Sequence, residues 1–184
     1  MYKQFLWLIL LSFFLTPGLA FGQNSISVSV HQDFKLFLFG DDLGNRAGTL
    51  DVLTRIKYSG KERKLGYFIY YAEFEKASIE NNYYRYGVGF GFAFSNTFND
   101  ENIECTGSAG IGNSHRMKTD SFSYSGSASL NYILNKQFKI GAMFQYINRT
   151  DLDRNLVRYS FFIGLEIRLF ALKSWFFKNE VQAY

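Results

Sequence analysis

The chain reads as all-β, a closed antiparallel up-and-down transmembrane β-barrel of about eight strands, and three observations predict this. Segment after segment alternates apolar and polar residues with a period of two. Bulky apolar side chains collect on one face of these segments, whereas Gly, Ser and charged residues collect on the other. The composition matches: 20% of the 184 residues are aromatic, with 21 Phe and 13 Tyr beside 16 Gly and 1 Pro. Aromatics favour strands and glycine favours tight turns.

The first element is an export signal. Met1-Tyr2-Lys3-Gln4 is a short positive leader, Phe5 to Leu15 is an almost unbroken apolar run, and Thr16-Pro17-Gly18 breaks it. These are the three parts of a secretory signal peptide, and the run is shorter than the roughly 20 residues of a spanning helix. Ala20 and Gly22 stand at the minus-three and minus-one positions for cleavage before Gln23, with cleavage after Ala20 as the alternative. The expected organisation is a signal peptide over 1–22, a barrel over 23–170 and a tail over 171–184.

The strand pattern is clearest in the fourth segment. Tyr84, Tyr86, Val88, Phe90, Phe92 and Phe94 share one parity, opposite Tyr83, Arg85, Gly87, Gly89, Gly91 and Ala93. In the sixth, Phe122, Tyr124, Ala128, Leu130 and Tyr132 oppose a face that is nearly all serine, from Ser121 to Ser129. The first keeps parity from Ile26 through Val28, Val30, Phe34, Leu36 and Leu38, against Ser27, Ser29, His31, Asp33 and Lys35. The second sets Leu50, Val52, Ile56 and Tyr58 against Asp51, Arg55 and Lys57; the fifth sets Ile103, Cys105, Ala109 and Ile111 against Glu104, Thr106 and Ser108. The seventh (138–148) and eighth (157–169) alternate in the same way, while the third (65–77) is apolar on both faces. Turn residues separate the segments, including Gly40-Asp41-Asp42, Ser59-Gly60-Lys61, Asn113 to Asp120 and Asn135-Lys136-Gln137.

Volume decides which face is inside. The lumen of a small barrel is just wide enough to be filled by side chains. Phe, Tyr, Ile and Leu are too bulky to converge there, so the sequence predicts an inverted barrel, with rings toward lipid and Gly, Ser and charges within. A mean hydropathy of −0.11 suits this arrangement, because every second strand residue is polar. Tyr58, Tyr67, Tyr83, Tyr132 and Tyr159, near strand ends, are expected in interfacial aromatic girdles.

The leader, the alternating segments and the last strand Tyr159-Ser160-Phe161-Phe162-Ile163-Gly164-Leu165-Glu166-Ile167-Arg168-Leu169-Phe170 together resemble the small eight-stranded outer-membrane β-barrel superfamily of diderm bacteria. The resemblance is one of pattern and identifies architecture, not a particular member. It implies an outer-membrane location, contact with outer-membrane lipid and lipopolysaccharide, and recognition of the final strand by the barrel-assembly machinery. It also implies a periplasmic N-terminus. In the family the aromatic usually ends the chain; here Ala171 to Tyr184 follow, expected as an interfacial tail or a strand extension.

Chemistry-bearing residues are few. The net charge of +4 and pI near 9.1 come from Lys and Arg interleaved with Asp and Glu, so no basic stripe points to nucleic acid. Cys105 is a lone cysteine without metal-ligand spacing, and neither a cofactor nor a metal is expected. Ser114-His115 is the only Ser and His neighbourhood; adjacent residues point apart, so it makes a poor nucleophile and base, and His115 is expected as a solvated loop residue. The candidate site is therefore the lumen charge network: His31, Asp33, Lys35, Arg55, Arg85, Glu104, Lys139, Glu166 and Arg168, with Lys57, Glu73 and Arg158 at the same interior or its mouths. Charges in a narrow lumen must pair to offset desolvation. The expected function is a non-catalytic barrel with a structural or surface-interaction role; the alternatives are a narrow pore for small solutes or ions and a lipid A-modifying enzyme.

Overall fold

A computed structural model describes residues 24–40, 45–61, 63–78, 83–95, 98, 100–116, 119–148 and 157–172. The expected leader and residues 173–184 of the tail lie outside them. The order of elements is β1 (Asn24–Asp33), α1 (Phe34–Phe39), β2 (Asp51–Ser59), β3 (Gly66–Ala77), β4 (Tyr83–Phe94), β5 (Ile103–Arg116), β6 (Thr119–Ile133), β7 (Phe138–Asn148) and β8 (Val157–Leu172). Each strand pairs antiparallel with the next, and β8 returns to β1 to close an eight-stranded barrel. Closure leaves no sheet edge, which hydrocarbon would penalise by several kcal/mol for each unpaired backbone group. Below, the near mouth is where β1 begins and β8 ends; the far mouth is where β1 gives way to α1.

Period-two alternation sorts the side chains as volume predicts. Arg85 and Ser123 are fully buried in the lumen, whereas Phe90, Phe122 and Ile56 are more than half exposed on the outer wall. The strand that looked apolar on both faces also alternates strictly. In β3, Tyr67, Ile69, Tyr71, Glu73 and Glu75 are buried, and Phe68, Tyr70 and Phe74 are exposed.

Tyr67 and Tyr83 do not join the girdles: both face inward, 8% and 0% exposed. Inward parity places them there, and Tyr67 finds polar partners for its hydroxyl inside the lumen. The outward tyrosines form two bands instead. Tyr84, Tyr86, Tyr124, Tyr146 and Tyr159 lie toward the far mouth, and Tyr58, Tyr70 and Tyr132 toward the near one. Between Tyr124 and Tyr132 on β6, a rise of roughly 3.3 Å per residue and a tilt near 40° give about 20 Å of height, comparable with the ~25 Å apolar band of outer-membrane barrels.

Glycine makes room where large groups cross the lumen. A Cβ on Gly89 would lie 2.3 Å from the Tyr71 ring, and one on Gly164 would lie 2.3 Å from His31 Nδ1. Those two strands must be bare at these positions for the tyrosine and the imidazole to fit.

Two boundaries differ from the sequence reading. Residues 34–38 do not continue β1; they form α1. Asp33 caps that helix, its carboxylate accepting from Leu36 N–H at 3.0 Å, and Gly40, at φ 71°, ends it by donating its N–H to Leu36 O at 3.1 Å. Phe34, Phe37 and Leu38 fit a helical spacing as well as a strand, and the two caps decide between them. The connection expected over Asn113–Asp120 is mostly sheet: β5 runs to Arg116, β6 starts at Thr119, and the two stay in register from Ile103↔Tyr132 to Arg116↔Thr119. At the other end of the chain, Ala171 and Leu172 extend β8 against Ser25 and Asn24.

Candidate functional site: the filled lumen

Inward-facing charges from seven of the eight strands, with serines from β6, meet in three tiers. At the near mouth, Lys139 on β7 donates to both carboxylate oxygens of Glu104 on β5, at 3.0 and 2.9 Å. It also reaches the Tyr67 hydroxyl at 3.0 Å, and that hydroxyl in turn donates to Glu104. Close by, Glu166 on β8 accepts from Lys57 on β2 at 2.6 Å and from Ser27 on β1 at 2.8 Å.

The central tier is built on one carboxylate. Glu73 on β3 accepts from Arg55 Nε at 2.9 Å and from Arg85 on β4, and the carboxylate and the Arg85 side chain are fully buried. The serine face of β6 supplies acceptors for the guanidinium donors that Glu73 leaves over. Arg85 donates to Ser123 at 2.8 Å and Ser125 at 3.1 Å, and Arg55 reaches Ser127 at 3.3 Å. Arg55 also lies 4.4 Å from the Tyr71 ring centroid and 3.1 Å from Met143 Sδ on β7. A guanidinium has five donors and no acceptor, so small hydroxyls on the facing strand satisfy it without filling the lumen with bulk.

At the far mouth, Arg158 on β8 is the shared partner of three buried carboxylates. It donates to Glu75 at 3.1 Å and to Asp51, and stands 3.5 Å from Asp33. Between this tier and the central one lies a small apolar cluster of Leu53, Met143 and Phe162, each at most 1% exposed.

The structure thus gathers His31, Asp33, Arg55, Arg85, Glu104, Lys139 and Glu166 in the lumen, all buried. It excludes Lys35, which is exposed on α1 because the chain leaves strand geometry at Phe34. Arg168 is exposed at the near mouth, where β8 approaches its end. Sequence reasoning left out Asp51 and Glu75 from the network and gave Ser123, Ser125 and Ser127 no acceptor role. Their inward parity was the available signal.

No serine and histidine pair forms at 114–115. Ser114 is fully buried in the lumen and donates to Ser121 O at 3.3 Å. His115 leaves the opposite face of β5, so it is not a loop residue. It stacks on Tyr84 with ring centroids 4.5 Å apart and bonds Asp120 through Nδ1 at 2.6 Å. Among the described residues no group of three or more His, Cys, Asp or Glu side chains could hold a metal ion, and no helix is long and apolar enough to cross a membrane.

These features define a class: a closed, eight-stranded, up-and-down barrel of the transmembrane type, with an apolar outer wall and an ion-paired interior. Solved structures are similar to this chain. The Yersinia pestis outer membrane protein Ail in a phospholipid bilayer nanodisc is similar over 80% of this chain and 99% of its own, at 17% identity and a TM-score of 0.53. Neisserial surface protein A from Neisseria matches over 79% and 97%, at 9% identity and a TM-score of 0.49. OprG, an outer membrane protein of Pseudomonas aeruginosa, matches over 83% and 98%, at 12% identity and a TM-score of 0.43. No family model matches the chain, and no curated protein matches it.

Proposed function

We propose that this protein is an integral outer-membrane β-barrel with a structural or surface-interaction role and no catalytic one. The observation that carries the reading is the filled interior. Each of the three tiers links strands that are not neighbours in the sheet, from Arg55 on β2 to Ser127 on β6 and from Arg158 on β8 to Glu75 on β3. A side-chain network of this kind obstructs solute passage and leaves the outer wall and the ends as the working surfaces. Export by the N-terminal signal, insertion by the barrel-assembly machinery and contact with outer-membrane lipid and lipopolysaccharide belong to the same reading.

The test is electrical. Purified protein that shows the heat-modifiable gel migration of a folded barrel is inserted into planar bilayers and held at several voltages. The filled lumen predicts no discrete conductance steps. Reproducible steps would replace the structural role with that of a narrow pore.

A further inference from the structure

Six residues of the barrel wall are helical where their neighbours are strands, and they are unusually apolar. On α1, Phe34, Phe37, Leu38 and Phe39 are 39%, 42%, 43% and 78% exposed; Leu36 is buried, and Lys35 is the only polar side chain. Phe34, Phe37 and Leu38 fall at the i, i+3, i+4 spacing of one helix face. Val30, shortly before them on β1, is also exposed. A contiguous apolar surface of this kind rimmed by a lysine marks an interaction site when it stands free in water.

The height of α1 shows what it meets. β1 stops at Asp33, which pairs with Phe162, but β8 continues past that point through Phe161, Ser160, Tyr159 and Arg158 to Val157. Helix α1 packs against β8 and β1. Six helical residues rise at most about 9 Å, whereas the five remaining residues of β8 extend roughly 16 Å along the strand. The helix therefore does not project beyond the rim. The outward residues of that stretch of β8, Phe161 and Tyr159, are exposed, and Tyr159 belongs to the far tyrosine band through its register partner Tyr146.

We infer that α1 is a membrane-embedded part of the wall, its Phe34, Phe37 and Leu38 face seated in the bilayer lipid at the boundary between acyl chains and headgroups. The occupant is lipid because the face is continuous with the outer apolar wall at the same height. Lys35 supplies the long cationic side chain that reaches from such a position to the headgroups. The connection between β1 and β2 is thus anchored in the leaflet over α1. The inference rests on the bilayer placement proposed above.

Site-directed spin labelling separates the two. In a Cys105→Ser background, a label is placed at Phe37→Cys in the full chain reconstituted in phospholipid bilayers. Its accessibility to oxygen is then compared with that to a water-soluble nickel complex. Labels at Ile163→Cys on the wall and Arg46→Cys in the connection set the two limits. The expected oxygen-to-nickel ratio at Phe37 is close to that at Ile163 and several times that at Arg46. A ratio like that of Arg46 overturns the inference, and so does poor access to both reagents, which would mean that protein covers the face. A water-like result at Ile163 itself would instead overturn the bilayer placement. If the Phe37 variant fails to insert, Leu38→Cys carries the same expectation.

Discussion

Glu73→Ala is expected to destabilise the barrel by about 3–5 kcal/mol, the cost of breaking a buried ion pair from one side. The carboxylate is the shared acceptor of Arg55 and Arg85, and its side chain has no exposure. Removing it leaves two guanidinium groups facing each other in the lumen, and the hydroxyls of Ser123, Ser125 and Ser127 carry no charge to offset them. The measurement is the urea midpoint of unfolding in bilayers or detergent, with the slope checked for constancy. The companion variant Arg55→Met/Glu73→Leu/Arg85→Met separates charge imbalance from lost volume. Buried ionic triads replaced by apolar groups of similar size are often as stable as the original, so the triple variant is expected to recover most of the loss. If Glu73→Ala unfolds at the wild-type midpoint, the central tier does not hold the barrel together.

The second large effect belongs to the outer wall. Phe144 lies on the outer wall of β7 between Ile140, the register partner of Tyr132 in the near tyrosine band, and Tyr146 of the far band. Phe144→Arg places a cation at the depth where a lipid-facing charge costs about 2–4 kcal/mol in a transmembrane barrel. Tyr132→Arg, in the near tyrosine band, is expected to cost about 0–1 kcal/mol because there the headgroups solvate the charge. Depth dependence is the informative part. Equal costs at the two positions would mean that no bilayer surrounds this wall.

Much of the fold was legible because β4, β6 and β7 alternate without interruption, and because the size difference between Phe90 and Gly89 tells outside from inside. Legibility failed where apolar residues occupy both parities. In 34–39 the run of Phe and Leu fits either period, and only Asp33 and Gly40, read together as caps, separate helix from strand. In β3 the inward Tyr67 and Tyr71 resemble lipid-facing rings until Glu104 and Lys139 are seen beside one and Arg55 over the other. Around 113–120, the polar residues Asn113, Ser114, His115 and Asp120 read as a connection. Beyond the tyrosine band, however, an outward strand face is polar, and His115 pairs with Asp120 across the sheet.

The charge network was legible as a set of inward residues but not as pairs. Parity places Arg55, Arg85, Glu104, Lys139 and Glu166 inside. Which of them meet depends on the stagger of strands that are not adjacent, as with Lys57 and Glu166 on β2 and β8 or Lys139 and Glu104 on β7 and β5. No local pattern encodes that stagger. Asp51 and Glu75 share the inward parity and belong to the set on that ground, but their pairing with Arg158, more than eighty residues away in the chain, is of the same non-local kind.

One measurement bears most directly on the claim that bulky rings face lipid and ions fill the interior. In nanodiscs of protonated lipid and otherwise deuterated, amide-protonated protein with labelled side chains, magnetisation transfer from acyl-chain methylenes is recorded residue by residue. Strong transfer is predicted to Phe144, Phe161 and Ile163, and none to Ser125, Arg85 or Glu73. Transfer from acyl chains to Arg85 and Ser125, with Phe144 and Ile163 silent, would contradict it.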